Sequence, residues 1–492
     1  MPVRRSSPLR SALAALALAL VADEARASNP VPDPIPGQTR PAILIGNNWA
    51  GTTDIVDPVT YERLGRVNII PDFAERKAEI MFDPVRQGFF IGVRELIGEG
   101  NDQLVDDAFA SNDGRFLYAS RPSLADVVSI ELATGKIVWR ARVDGYRSDH
   151  MAVSEDGTRL LVSASTGNVV HELDTATGKR VGGFPSGDSP HESLYSKDGT
   201  KVYHASIGRV YLPVDRGPAD ARALTRGGEF FQIIDAKTNA ILERVNMSEK
   251  LAEAGFPDMS AAVRPMTLSP DEKFVYFQVS FFHGFVEYDL EQKKVTRVAN
   301  LPISAEAAAT PIENYVLDSA HHGLVMSKDG SKLCAAGTSS DYAAIVDRKT
   351  FAFKIVDAGR KPYWSTDSVD GKYCYMSMSA DDVVSVIDFE TGEVVKKIPV
   401  GRHPQRVRNG VVRVKDFPQG AHGESFRLRM FTEKGPISVK GGDENVGCRA
   451  KDAKDLRLAS CTVEVKAVTR RGAQPRVIGR GARTVGDRRS FK

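Results

Sequence analysis

Eight and seven residues before each of a series of turn glycines, or their equivalents, stand the pairs Asp106-Asp107, Asp149-His150, His191-Glu192, Arg264-Pro265, His322-Gly323, Tyr363-Trp364 and Arg402-His403, with His321 beside the fifth. Five of the nine His in the chain fall at or beside this one register. Imidazoles and carboxylates brought together can coordinate a divalent transition metal, and with Arg and Tyr they can hold a polar ligand. The competing account is that these groups bond one another, neighbouring backbone and water. His171 and His204 lie in strand-like runs, His283 in a loop and His422 near the C-terminus, and none is assigned a role. There is no Gly-x-Ser-x-Gly elbow, phosphate loop, Cys-x-x-Cys-His attachment or His-Glu-x-x-His pair.

The register belongs to a repeat. Residues 154–181, SEDGTRLLVSASTGNVVHELDTATGKRV, read as three short strands separated by Gly, Asp and Asn turns. Ser-x-Asp-Gly turns begin further copies at Ser111, Ser196, Ser327 and Ser368, and Ser269-Pro270-Asp271-Glu272 is a variant. Closing turns follow at Leu132-Ala133-Thr134-Gly135, Asp235-Ala236-Lys237-Thr238 and Asp388-Phe389-Glu390-Thr391-Gly392. A period near 40 residues points to a propeller or solenoid. A seventh copy opens at Arg402-His403-Pro404 and then stops, while 42–46, 53–57 and 63–67 read as the three later strands of a blade. Joining the two ends in one composite blade leaves no sheet edge open. The fold class is all-β: a ring of seven four-stranded blades over 41–414, in which the register lines the mouth of the central channel.

The long connections are placed unevenly. Residues 71–105, 248–263 and 302–320 each join the outer strand of one blade to the inner strand of the next, and 207–228 lies between second and third strands. Both connection types open on the side where inner strands begin, so they roof the mouth, with Trp49 among them. Only adjacent blades are expected to bring residues close enough to share an ion; His150 and His191 are the best pair. The mouth itself is expected to be solvent-accessible.

Residues 1–27 read as a secretory signal: Arg4 and Arg5, an apolar run 12–22, and Ala25-Arg26-Ala27 before the cut. The run is too short to span a bilayer, and no later stretch is apolar enough. A Pro-rich leader covers 28–40. The tail 415–492 lacks the repeat and reads as a small basic β appendage, whose last stretch, 470–492, could hold an anionic cell-surface polymer or lipid headgroups. The protein is expected to be secreted, periplasmic or on the cell surface. Cys448 and Cys461 flank a short loop and are expected to form a disulfide. Cys334 and Cys374, in neighbouring blades, form a second bridge or remain buried thiols. A net charge of +3 argues against nucleic acid as a partner.

The Ser-x-Asp-Gly openings, the Asp-x-x-Thr-Gly closings and His403-Pro404 resemble the YVTN-type β-propellers over nearly all of 41–414. Residues 184–191, 205–208 and 319–323 resemble exported bacterial members without a settled activity. The wider superfamily resembles the propellers of nitrous oxide reductase, of haem-d1 cytochromes and of lactonases, which use the channel mouth for copper, haem or substrate. Asp106, Arg264 and Tyr363 interrupt the histidine ring, which argues against a copper cluster of the reductase kind. The sequence-level expectation is therefore binding of a protein, glycan or small polar ligand at Asp106, Asp149, His150, His191, Arg264, His321, His322, Tyr363, Arg402 and His403. The alternative is a metal- or cofactor-assisted enzyme, an oxidoreductase or lactonase-like hydrolase, at the same mouth. The sequence names no cofactor.

Overall fold

The computed structural model describes residues 31–210, 226–315 and 319–417, and beyond them the backbone of five strands. The signal segment, the start of the leader and His422 lie outside the described residues.

The repeat turns explain where the strands begin. Ser111 Oγ donates to Asp113 Oδ1 at 2.6 Å and accepts from the Phe116 amide at 2.9 Å, so one hydroxyl ties the turn to the next strand. The residue after the Asp adopts a left-handed backbone, φ 65° at Gly114 and 76° at Gly371, where a Cβ is disfavoured. Glu272 takes that conformation in the variant turn, at φ 52°. The closing turns are tied by their Asp: Asp174 Oδ1 accepts from the Thr177 amide at 2.9 Å and its hydroxyl at 2.7 Å, and Asp235, Asp347 and Asp388 do the same for Thr238, Thr350 and Thr391.

Seven four-stranded antiparallel sheets result. Blades 1 to 6 cover 108–142, 148–185, 190–246, 263–300, 324–356 and 362–399. Blade 7 is the composite: the inner strand Pro404–Arg413 pairs with Thr39–Asn47, followed by Thr52–Val56 and Arg63–Asn68. Its register runs from Thr39 opposite Arg413 to Ile45 opposite Val407. The ring closes through the two ends of the repeat, as the two incomplete blades require.

Apolar layers fill the spaces between blades. Tyr203, Phe231, Met266, Phe277 and Tyr288 are buried between blades 3 and 4, each such side chain contributing about 1.5–3 kcal/mol. Between blades 5 and 6, Cys334 and Cys374 form a disulfide with Cα atoms 6.5 Å apart, among Val325, Ala343 and Met376. This settles the open pairing: closing a loop of 40 residues is worth about 4 kcal/mol by the chain-entropy estimate.

The insertion at 71–105 is helical. Phe73–Met81 and Pro84–Gly92 are α-helices, the second capped by Asp83, whose Oδ1 accepts from the Val85 and Arg86 amides, with Pro84 at the first helical position. A buried ionic network fastens it to blade 1. Asp126 accepts from Arg121 Nε at 2.7 Å and from Arg76 Nε at 3.0 Å, and Arg121 reaches Asp72 at 2.5 Å. Further along, Phe89 stacks on Tyr146 before blade 2, with ring centroids 4.4 Å apart, and Glu99 pairs with Lys361 before blade 6. One insertion thus reaches from the edge of blade 2 to the edge of blade 6. Shorter helices, Met247–Glu253 and Ala305–Ala309, form in the other two connections.

Residues 417–492 form a separate compact unit. Its backbone shows a two-stranded sheet, Phe426–Thr432 with Gly435–Gly441, and a three-stranded one, Val446–Ala450, Ala459–Ala467 and Arg476–Thr484. The register sets Cys448 directly opposite Cys461.

Candidate functional site

A bulge at the start of the inner strands decides which side chains face the axis. In blade 2, Ser148 pairs with Ala164 and Met151 with Val162, so Asp149 and His150 together oppose one residue. In blade 3, His191 and Glu192 stand between the pairs Pro190–Ser206 and Ser193–His204, and in blade 4 Arg264 and Pro265 stand between Val263–Val279 and Met266–Phe277. Tyr363 is the extra residue in blade 6. Such a bulge re-aims side chains that a regular strand would send to opposite faces.

Three imidazoles meet as a result. His150, His191 and His322 offer ring nitrogens that lie within 4.8 Å of one another. Their ring centroids are separated by 3.9 Å (His150–His191), 5.6 Å (His191–His322) and 6.3 Å (His150–His322). Blades 2, 3 and 5 are not all neighbours, so the expectation that only adjacent blades share an ion is overturned. The inner strands crowd the axis closely enough for side chains to meet across it. A second group, Asp106, Asp149 and His150, satisfies the same 4.8 Å limit.

The mouth is also closed, not solvated. His150, His191 and His322 expose only 1–3 % of their surface. Burial holds all three well below the usual imidazole range, with Arg406 the next cause for His150 and His322, and His322 and Arg264 the next for His191. They are neutral at neutral pH, the form that binds metal. His322 Nδ1 donates to the Tyr363 carbonyl at 3.0 Å, and the ring stacks on Tyr363 at 4.1 Å. That bond fixes the tautomer and leaves the Nε2 lone pair for a ligand. Neither nitrogen of His150 has a hydrogen-bond partner, nor does His191 Nδ1; each unmet buried polar atom costs about 1–3 kcal/mol. His150 Nε2 lies 3.7 Å from Asp149 Oδ1.

Charged groups surround the trio. Arg406 Nη1 lies 3.1 Å from Asp106 Oδ1, and Arg408 holds Asp107 through two bonds of 2.9 and 2.7 Å. Arg264 donates to Ser280 Oγ at 3.0 and 2.9 Å. Burial pushes Asp106 up to about 7 even though Arg406 opposes it, and pushes Glu192 up to about 7 against Arg408. Below this layer a cavity is lined by Glu192, Trp364, Arg408 and, from the leader, Val31.

Of the ten residues singled out by the sequence, Asp106, Asp149, His150, His191, Arg264, His322 and Tyr363 gather on the axis. The other three do not. His321 turns away, its Nε2 bonded to the Tyr342 hydroxyl at 3.1 Å, and His283 is bonded to Tyr315 in the same manner. Both pin the 302–320 connection. His403 stacks on Trp49 at 3.8 Å, its backbone at φ 55°, and exposed Arg402 donates to the Trp49 carbonyl. The register fails in blade 7 because Gly410 is not a turn glycine; the strand runs on to Arg413. The bulged pair there is Gln405 and Arg406, opposite Gly46. Arg406 was missed, although a signal existed: Pro190, Pro362 and Pro404 each start an inner strand, and counting from the proline aligns Arg406 with Glu192 and Trp364.

No family model and no curated protein matches the chain. Among solved structures it is similar to Kuenenia stuttgartiensis hydrazine synthase, at 16 % identity over 70 % of this chain and 90 % of that one, with a TM-score of 0.47. It is also similar to a Bacteroides uniformis protein provisionally described as a 6-phosphogluconolactonase, at 16 % identity over 76 % and 99 %, with a TM-score of 0.49. The chain is a seven-bladed β-propeller. No helix among the described residues is long and apolar enough to cross a membrane.

Proposed function

We propose that this is an exported propeller that holds a divalent transition metal on its axis, bound by His150, His191 and His322. The observation that carries this reading is the convergence of three buried, neutral imidazoles, of which both nitrogens of His150 and Nδ1 of His191 have no hydrogen-bond partner. A structural cluster would bond its nitrogens to backbone or hydroxyls, as His204 does to Ser186 and Ser193. Three imidazoles suit zinc, copper, nickel or cobalt, and a three-histidine set leaves a coordination position for a small ligand. Asp149, beside His150 Nε2, would orient that ring from outside the coordination sphere.

The reading narrows the sequence-level expectation. A protein or glycan partner would need side chains on the surface, whereas these are buried, so the ligand is an ion or a molecule of a few atoms. Export is supported by the Cys334–Cys374 bridge, which fits an oxidising compartment. A metal-assisted reaction at the open position is the enzymatic form of the same proposal. Metal analysis of untagged protein tests it: we expect one ion per chain, with His191→Ala, which removes a direct ligand, lowering affinity by more than the roughly 10- to 100-fold that loss of an outer-shell partner costs. Untagged protein that contains no metal and takes up none of zinc, copper, nickel or cobalt defeats the proposal.

A further inference from the structure

Arg406 is the unexplained group beside the trio. It is 1 % exposed, and its Nε and Nη1 have no hydrogen-bond acceptor. The Asp106 carboxylate lies within ion-pair distance of Nη1 without hydrogen-bond alignment, and Asp106 Oδ2 is itself unpartnered. The guanidinium is held by rings instead, its carbon 4.5 Å from the centre of Trp364 and 5.8 Å from that of Tyr363. Those same rings touch the histidines: Trp364 lies 5.6 Å from His150 and 6.1 Å from His322, and Tyr363 stacks on His322. A buried cation with free donors therefore borders the space into which the imidazoles point.

Buried guanidinium groups keep their donors satisfied, because an unmet charged donor costs more than a neutral one. A carboxylate aligned with the fork would meet that need, and Arg408 with Asp107 shows the arrangement one turn of the pleat away. At Arg406 the arrangement is left incomplete on the side of the cluster.

We infer that Arg406 receives a small anion that also occupies the open position of the metal, a carboxylate, oxyanion or pseudohalide of only a few heavy atoms. This rests on the metal reading above and adds the class of its ligand. The metal supplies one bond to the anion and the Arg406 Nε–H a charge-assisted hydrogen bond. A neutral ligand could not offset the guanidinium. A large one could not fit where three buried ring nitrogens lie within 4.8 Å of one another. Trp364 and Tyr363 lie within cation–π distance of the guanidinium, at 4.5 and 5.8 Å, which favours Arg over Lys.

The test uses the full untagged chain loaded with cobalt(II), whose visible absorption reports its coordination, and azide as the probe. Wild type is expected to show saturable spectral change on adding azide. Arg406→Met is expected to retain cobalt and lose azide affinity by roughly 10- to 100-fold, the weight of one charge-assisted hydrogen bond. Arg406→Lys, which keeps the charge, is expected to fall between them. If cobalt binds and azide leaves the wild-type spectrum unchanged, the anion inference is overturned and the metal site stands. It is overturned equally if Arg406→Met or Arg406→Lys binds azide like wild type. If cobalt does not bind at all, the metal reading fails and this inference with it. A wild-type response shows only that azide reaches the metal, so if Arg406→Met does not fold, the comparison of wild type with Arg406→Lys decides the role of Arg406.

Discussion

At the scale of single residues, the three axial histidines carry different weights. His322 is bonded to the Tyr363 carbonyl and stacked on its ring, while His191 Nδ1 is bonded to nothing. His322→Ala should therefore destabilise the metal-free protein by about 2–4 kcal/mol, through a cavity and an orphaned carbonyl. His191→Ala should cost about half as much, because it also removes an unmet polar atom. Urea unfolding of the two apo-variants compares them; equal losses would show that the hydrogen bond to Tyr363 contributes nothing. The histidine register itself was legible in the sequence, since the turn glycines repeat. Its failure at Arg402 and His403 has a local cause: a glycine inside a long strand looks the same in sequence as a glycine in a turn.

At the scale of elements, the 71–105 insertion is fastened to the ring by buried and paired charges. Its anchor is the Asp126 carboxylate between two guanidinium groups, with Arg76, Arg121 and Asp126 all fully buried. Asp126→Asn leaves two buried cations short of a counter-charge, which should cost about 3–5 kcal/mol. Hydrogen exchange should then rise in Phe73–Met81 and Pro84–Gly92 more than in the blades. Uniform exchange across the ring would mean the insertion is not a separate unit. The sequence led to the expectation that this connection roofs the mouth, but not that it bridges to blade 6. The Glu99–Lys361 pair joins residues 262 apart, and no local pattern announces it. In the C-terminal unit, the backbone register opposes Cys448 to Cys461. Peptide mapping without reduction should recover them linked, and free thiols at both positions would exclude the bridge.

At the scale of the molecule, closure and acid stability follow from the same architecture. Deleting 28–68 removes three strands of blade 7 and exposes both an edge and an apolar face. Cooperative thermal unfolding should disappear; a truncated chain that melts as sharply as the whole one would falsify closure as the source of cooperativity. Eight of the nine His have folded pKa values held below the usual 6.5, each chiefly by burial. A depressed folded pKa contributes stability that is present above the unfolded value and lost as pH falls below it. Asp106 and Glu192, raised to about 7, act in the opposite sense, favouring the fold at low pH and losing that contribution as pH rises through 7. Eight imidazoles outnumber two carboxyls, so the unfolded chain takes up more protons below about pH 6.5. The denaturation midpoint should drop steeply from there towards pH 5, and a flat profile would show that the imidazoles are not buried neutral in solution.

The sequence alone determined the ring, the seven blades and the meeting of the two chain ends, because each rests on turns that are tied within a few residues by Ser, Asp, Thr and Gly. It also brought Asp149, His150, His191 and His322 to one register by repetition. Only the tertiary structure decided that imidazoles from blades 2, 3 and 5 meet across the axis, that Arg406 and not Arg402 joins them, and that Cys334 reaches Cys374. Those outcomes depend on the bulges and on how closely seven inner strands approach the axis, and both are set by packing among all the blades at once.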